Sequence, residues 1–120
     1  MNFGHTFAHG FEAASGYRLS HGKAVGIGMA CAARLAVKLR MFSTANERRL
    51  NRLIAGSGLP VSLNGRRFKT SKILHAMQRD KKKRAGVLRF VLPARIGKVI
   101  VRKDISLPRV RKIILEAGGK

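Results

Sequence analysis

Acidic residues are scarce in this sequence. Its 120 residues include 5 Asp and Glu against 26 Lys and Arg, which gives a formal net charge of +21 at pH 7. Such a chain attracts nucleic acid, acidic membranes, phosphorylated metabolites and acidic proteins, and charge alone does not choose among these partners. The imbalance also implies strong self-repulsion, which bound anions or a counter-charged partner would relieve.

Cysteine and long apolar runs are also nearly missing. The single cysteine, Cys31, excludes an intrachain disulfide, and its Ala and Met neighbours are typical of a small buried hydrophobe. A reduced, cytoplasmic setting is therefore expected. The uncharged stretch 24–33 is too short to span a bilayer, and the N-terminus has no signal-peptide pattern, so we expect no membrane association.

Tryptophan is absent and aromatic residues make up only 6% of the chain, although 45% of its residues are hydrophobic. That content is enough for one modest core built from Leu, Ile, Val, Ala and Met. We therefore expect residues 1–120 to form a single domain.

Helical periodicity dominates the first third of the chain. Phenylalanines recur at every fourth residue of a predicted helix over 2–15, which Gly16 ends. Ser20 is expected to cap a second helix over 21–40. This segment is rich in Ala and Gly and apolar nearly all round in its first half, which indicates burial.

The remainder predicts shorter helices and one hairpin. Helices are expected to start at caps Thr44, Thr70 and Ser106. The apolar residues over 87–91 and 98–102 are spaced as in β-strands, and the residues between them predict a turn. The predicted fold class is mainly α, with one β-hairpin near residues 87–102.

Three of the four histidines lie within the first 21 residues. His5 and His9 are four residues apart, so on a helix they share a face, and a bend near Gly16 would fold His21 back toward them. Catalytic zinc usually takes three protein ligands and keeps one open position. Glu12 lies nearly two turns from His5, so the local set is an incomplete metal site, and a histidine pair at this spacing also arises by chance.

Two separated blocks of the sequence are distinctive in order and spacing. The first is NFGHTFAH followed by HGKAVGIGM, and the second is DKKKRAGVLRFVLPARIGKVIV. Together they resemble the C-terminal domain of 3-dehydroquinate synthases, over essentially the whole chain. The resemblance implies a helical metal- and substrate-binding domain of the dehydroquinate synthase-like superfamily.

The resemblance also implies an activity. Enzymes of this family are lyases of the shikimate pathway of aromatic amino-acid biosynthesis. They convert 3-deoxy-D-arabino-heptulosonate 7-phosphate to 3-dehydroquinate and phosphate, with NAD and a divalent metal, usually zinc. By resemblance, His5 and His21 are the metal ligands and His9 is a catalytic and substrate-binding residue near the phosphate. Asn2 would contact substrate, and Lys81 or Lys82 would bind phosphate, with the choice between them open.

The chain departs from the family pattern in ways that matter. Lys23 stands where the family usually has glutamate, and its charge would oppose a metal at His21 unless it points away. Ala8 stands in place of a glycine. The N-terminal NAD-binding domain and its glutamate ligand are missing, and no residue of this chain is assigned to NAD. We therefore expect a C-terminal fragment, inactive without an N-terminal half supplied in trans, with a homodimer as a further option.

Three other functions stay open. The superfamily also contains inosose-forming sugar-phosphate cyclases and iron-type alcohol and glycerol dehydrogenases. A small basic nucleic-acid-binding protein would explain the charge, but aromatic residues for base stacking are few and no groove-reading motif is present. Non-specific, salt-sensitive binding to nucleic acid is expected in any case.

Overall fold

Five helices and a β-hairpin form the described part of the chain in a computed structural model, which describes residues 3–63, 68–95 and 97–119. The helices are α1 (His5–Ala14), α2 (His21–Lys38), α3 (Thr44–Gly56), α4 (Thr70–Lys83) and α5 (Leu107–Glu116), and the strands are β1 (Phe90–Arg95) and β2 (Lys98–Arg102). The mainly helical fold with one hairpin is as predicted.

Two helices begin at the predicted caps. The hydroxyl of Ser20 accepts a hydrogen bond from the backbone N–H three residues on at 3.3 Å, and that of Ser106 does the same at 3.4 Å. Each satisfies a donor that the first helical turn leaves unpaired. These caps could be predicted because they depend only on neighbours in sequence.

Two other predicted caps were wrong by one residue. Ser43, not Thr44, caps α3, and its hydroxyl accepts from the backbone N–H of Asn46 at 3.0 Å. Thr70 is the first residue of α4 and its hydroxyl is buried with no partner among the described residues. In both cases the helix begins at the threonine, so this side chain no longer occupies the capping position.

The core lies where α1 packs against α2 and α4, with β1 beneath α2. Phe7 and Phe11 are fully buried, and the ring of Phe7 lies 5.4 Å from that of Phe90 on β1. Helix α2 is exposed over its first three residues and largely buried from Ala24 to Ala36, so the burial that its composition predicted begins one turn into the helix. The aromatic residues of α1 therefore point into the core, which leaves another face of this helix for the histidines.

Two glycines let α1 and α2 approach through their backbones. A Cβ built at Gly28 would meet the Gly4 carbonyl oxygen and would lie 3.0 Å from the Ala8 nitrogen. Gly4 itself has φ +82, and a Cβ there would lie 2.5 Å from the Met29 nitrogen. Since contacts this short leave no room for a side chain, both positions require glycine.

The hairpin is antiparallel, and its first strand both begins and ends later than predicted, at Phe90–Arg95 instead of 87–91. β1 runs to Arg95 because Pro93, which falls within the predicted turn between the two strands, pairs with Val99 of β2. The register shifts between Pro93 and Arg95, which is consistent with a proline that has no N–H to donate to the ladder. Across the described ranges, every helix is too short or too polar to cross a membrane.

Candidate metal and substrate site

One face of α1 carries three polar side chains in a row. His5, His9 and Glu12 occupy positions i, i+4 and i+7 of the helix, which places them along one side. The ring centroids of His5 and His9 are 4.4 Å apart. The helix thus presents two imidazoles and one carboxylate together.

A tight turn after α1 returns the chain to this row. Gly16 adopts the left-handed conformation with φ +64. The hydroxyl of Ser15 donates to the carbonyl oxygen of Glu12 at 2.8 Å and accepts from the backbone N–H four residues on at 3.2 Å. Helix α2 then begins at His21, whose ring centroid lies 5.9 Å from that of His5. The predicted bend near Gly16 is confirmed.

Glu12 contacts His21 directly. Its Oε1 lies 2.8 Å from Nδ1 of the imidazole, and the two side chains are 17% and 62% exposed respectively. Sequence reasoning considered Glu12 only as a metal ligand and missed this contact. The available signal was a carboxylate in the last turn of one predicted helix and a histidine at the start of the next, joined by a short turn.

His5 is electrostatically biased toward its neutral form. Burial lowers its pKa, the imidazoles of His9 and His21 and the Arg84 guanidinium lower it further, and the Glu12 carboxylate opposes them. Nδ1 of His5 is buried and has no hydrogen-bond partner within the described part of the chain. A neutral imidazole with an unpaired nitrogen can offer a lone pair to a metal ion.

The arrangement supplies only part of a metal site. In the ranges 3–63, 68–95 and 97–119, no group of three or more His, Cys, Asp or Glu is placed to hold a metal ion. His5 and His21 fit a divalent metal as two of its ligands, because both are imidazoles at one location and His5 has an orphaned buried nitrogen. Their assignment as ligands stays a prediction.

Two cavities open on either side of His5. One, of about 240 Å³, is lined on α1 by His5, Thr6 and His9, and on the opposite wall by Asp80 and Arg84. The other, of about 480 Å³, lies where His5 and His21 meet, between α1 and the start of α2. His5 therefore borders both spaces, whereas His9 borders only the one that is also lined by Asp80, Arg84 and Arg89.

The basic groups on the wall of the His9 cavity are two arginines, Arg84 and Arg89. Nε of Arg84 lies 3.2 Å from the Asp80 carboxylate, and its side chain remains 55% exposed. Lys81 lines a different cavity with Lys103, and Lys82 is exposed. Helical periodicity does not rank the four consecutive cations from Lys81 to Arg84, because α4 ends among them and Arg84 is its C-cap residue. The assignment of Lys81 or Lys82 to phosphate stays a prediction.

Two further predictions concern neighbours of the site. Asn2 lies outside the described residues. Lys23 is exposed and lines neither cavity at the histidines, so its ammonium group does not occupy the space between His5 and His21. The substitution at Ala8 is accommodated by the packing, since this fully buried side chain lies against Gly28.

Relatives with known names match this chain over most of its length. It is 42% identical over 115 residues to 3-dehydroquinate synthase of Nostoc punctiforme and 41% identical over 116 residues to that of Dehalococcoides mccartyi. These alignments cover 95% and 97% of the chain, but 31% and 32% of the relatives. The chain thus spans about a third of the length of the curated relatives it matches.

Solved structures support the same fold. The chain superposes on 2-epi-5-epi-valiolone synthase (ValA) of Streptomyces hygroscopicus subsp. jinggangensis, which has NAD+ and Zn2+ bound, with a TM-score of 0.79 and 28% identity. That alignment covers 97% of this chain and 32% of ValA. The fold is also that of 2-deoxy-scyllo-inosose synthase, with a TM-score of 0.74, 20% identity, and coverage of 97% and 31% of the two chains.

The family described as 3-dehydroquinate synthase C-terminal matches residues 1–83, which include α1 to α4 and all of the histidines. Both motif blocks begin within this range. The chain therefore belongs to the 3-dehydroquinate synthase C-terminal family.

Proposed function

We propose that this chain is the metal- and substrate-holding part of a 3-dehydroquinate synthase, which converts 3-deoxy-D-arabino-heptulosonate 7-phosphate to 3-dehydroquinate and phosphate in the shikimate pathway. The observation that carries the proposal is the convergence of His5 and His21, whose rings lie 5.9 Å apart in a chain of this family. Curated 3-dehydroquinate synthases are also more similar to this chain, at 42% identity, than ValA is, at 28%.

His5 and His21 would hold the divalent metal, with zinc the expected ion since ValA has Zn2+ bound. A bound metal would polarise the substrate hydroxyl that is oxidised and the ketone that it becomes. NAD would be held mainly by the part of the enzyme that this chain does not contain. The lowered pKa of His5 supports its role, because an imidazole must be unprotonated to act as a ligand.

His9 and the cations near it would act on the phosphate end of the substrate. His9 shares its cavity with Arg84, Arg89 and Asp80, so an anion there would meet an imidazole and two guanidinium groups, while the Asp80 carboxylate is already paired with Arg84. Positive charge placed where phosphate departs stabilises the leaving group. Lys81 or Lys82 would add to this charge from the same basic run, and Asn2 would contact substrate.

A complementation assay tests the proposal. The chain is mixed with the N-terminal, NAD-binding part of a curated relative, NAD, zinc and substrate, and phosphate release is followed. We expect release from the mixture and none from the chain alone. No release from a mixture in which both parts are folded would contradict the proposal.

Histidine variants make the assay specific. His5→Ala and His21→Ala should each abolish both phosphate release and the retention of zinc by the protein. His75→Ala is the matched control, because His75 is exposed on α4 and lines neither histidine cavity. Equal loss in all three variants would mean that the converging pair has no special role.

Further variants address the phosphate end. Replacing Lys81, Lys82 or Arg84 by alanine, one at a time, ranks the three cations by the rise in KM for substrate. The largest effect identifies the side chain that meets the phosphate. If none of the three changes KM, the basic run only faces water.

A further inference from the structure

Glu12 occupies an unusual position for an acidic residue of this chain. It lies on the histidine face of α1, its side chain is 17% exposed, and its Oε1 lies 2.8 Å from Nδ1 of His21. The turn that follows is fixed by Ser15, whose hydroxyl bonds the Glu12 carbonyl oxygen. The carboxylate and the imidazole are therefore brought together by the same short segment of chain.

We infer that Glu12 is a positioning residue, which fixes the tautomer and orientation of the His21 imidazole. An ionised carboxylate can only accept hydrogen bonds, so Nδ1 of His21 must carry the proton. The lone pair then lies on Nε2, and this nitrogen becomes the available ligand atom. The inference rests on the proposed function, in which His21 binds the metal.

The exposure of His21 explains why a positioning residue is needed. Its side chain is 62% exposed, in contrast to the partly buried His5, and it lies in the first turn of α2. An exposed imidazole samples several rotamers and both tautomers, and a metal would have to select one combination. A hydrogen bond that the imidazole donates to a carboxylate removes that freedom before a metal binds, and partners of this kind raise metal affinity by about 10–100-fold.

Glu12 serves His21 better as a hydrogen-bond partner than as a third metal ligand. Its Oε1 is already engaged by Nδ1, and no set of three ligands forms within the described residues. Because it follows His5 by seven residues, it lies almost two helical turns along α1 from that ligand. Glu12 therefore contacts the His21 imidazole and does not itself bind the ion.

The tautomer can be measured in the metal-free chain. Nitrogen-15 NMR of the histidine side chains distinguishes a protonated Nδ1 from a protonated Nε2. We expect His21 to be protonated at Nδ1 in the parent chain at neutral pH and to become a mixture in Glu12→Ala. Glu12→Gln should preserve the parent tautomer, because the amide oxygen still accepts a hydrogen bond. An identical His21 spectrum in Glu12→Ala would overturn the inference.

Zinc titration provides the functional readout. We expect Glu12→Ala to weaken zinc binding about tenfold and Glu12→Gln to weaken it less. Glu116→Gln is the matched control: it removes one carboxylate, 4.0 Å from Lys38 and away from the histidines, and should leave zinc affinity unchanged. Urea unfolding of each variant separates lost affinity from lost fold.

The two hypotheses fail in distinguishable ways. Zinc that binds the parent chain and the alanine variant equally well would overturn the role of Glu12 and leave the proposed function standing. A folded parent chain whose His5 and His21 resonances do not respond to zinc would contradict the proposed metal site. In that case the tautomer measurement still decides whether Glu12 positions the imidazole.

Discussion

Gly28→Ala should destabilise the fold and separate the two histidine-bearing helices. The new Cβ would meet the Gly4 carbonyl oxygen and would lie 3.0 Å and 3.1 Å from the Ala8 nitrogen and Cβ. Two of these three atoms belong to the backbone, so the clash cannot be relieved by rotating a flexible side chain. Helices α1 and α2 must instead move apart.

The net effect follows from two opposing contributions. Replacing a mid-helix glycine by alanine favours the helix by about 1 kcal/mol. Overpacking a close contact typically costs about 1–3 kcal/mol and occasionally more, and a backbone contact lies at the upper end of that range. We expect the free energy of unfolding to fall by about 2 kcal/mol, which lowers the urea midpoint by roughly 1 M for a domain of this size.

Gly56→Ala is the matched control. Gly56 is also helical, as the last residue of α3, but a Cβ there would meet nothing within 4 Å. It should raise stability slightly, by up to about 1 kcal/mol. Equal urea midpoints for the two alanine variants, or a higher one for Gly28→Ala, would refute the close approach of α1 and α2. Zinc affinity should fall only in Gly28→Ala, because this crossing sets the separation of His5 and His21.

Three simpler measurements test other features. Arg34→Ala should lower the free energy of unfolding by about 2–3 kcal/mol, because Glu47 is 3% exposed and its carboxylate lies 2.9 Å from Nε of Arg34, which is itself partly exposed; an unchanged urea midpoint would contradict this. Burial raises the pKa of the Cys31 thiol, so a thiol reagent should modify it only as the chain unfolds, and rapid labelling of the native protein would show that the core is open. Binding to duplex DNA should weaken by about a thousandfold between 50 and 200 mM salt, and a gel shift that survives this increase would revive a specific nucleic-acid function.

Features that depend on neighbours in sequence could be predicted well. The caps at Ser20 and Ser106, the buried face of α2 and the bend near Gly16 all follow from residues within one or two turns. Strand limits were less accurate, because the pairing of Pro93 with Val99 depends on the partner strand. Local signals therefore identified the elements but not their full extent.

Features that depend on tertiary packing were missed. Gly28 of α2 is needed for the close contact with Gly4. That contact joins residues 24 positions apart, and no periodicity predicts it. Likewise, the contact between Glu12 and His21 depends on the path of the turn, and the placement of Arg84 depends on where α4 ends. Predicting any of these three features requires knowing which helices and strands contact one another.

The scarcity of acidic residues bears directly on the proposed metal site. Every carboxylate side chain in the sequence lies within 4.0 Å of a basic side chain: Glu12 with His21, Glu47 with Arg34, Asp80 with Arg84, Asp104 with Arg102, and Glu116 with Lys38. An acidic third ligand taken from this chain would have to leave its partner, which is an arginine or a lysine in four of the five pairs and the proposed ligand His21 in the fifth. A carboxylate supplied by a separate chain would not break any of these pairs. Under the proposed function, the charge pattern therefore favours a metal shared between this chain and an NAD-binding part, and it predicts that zinc affinity rises when the two are combined.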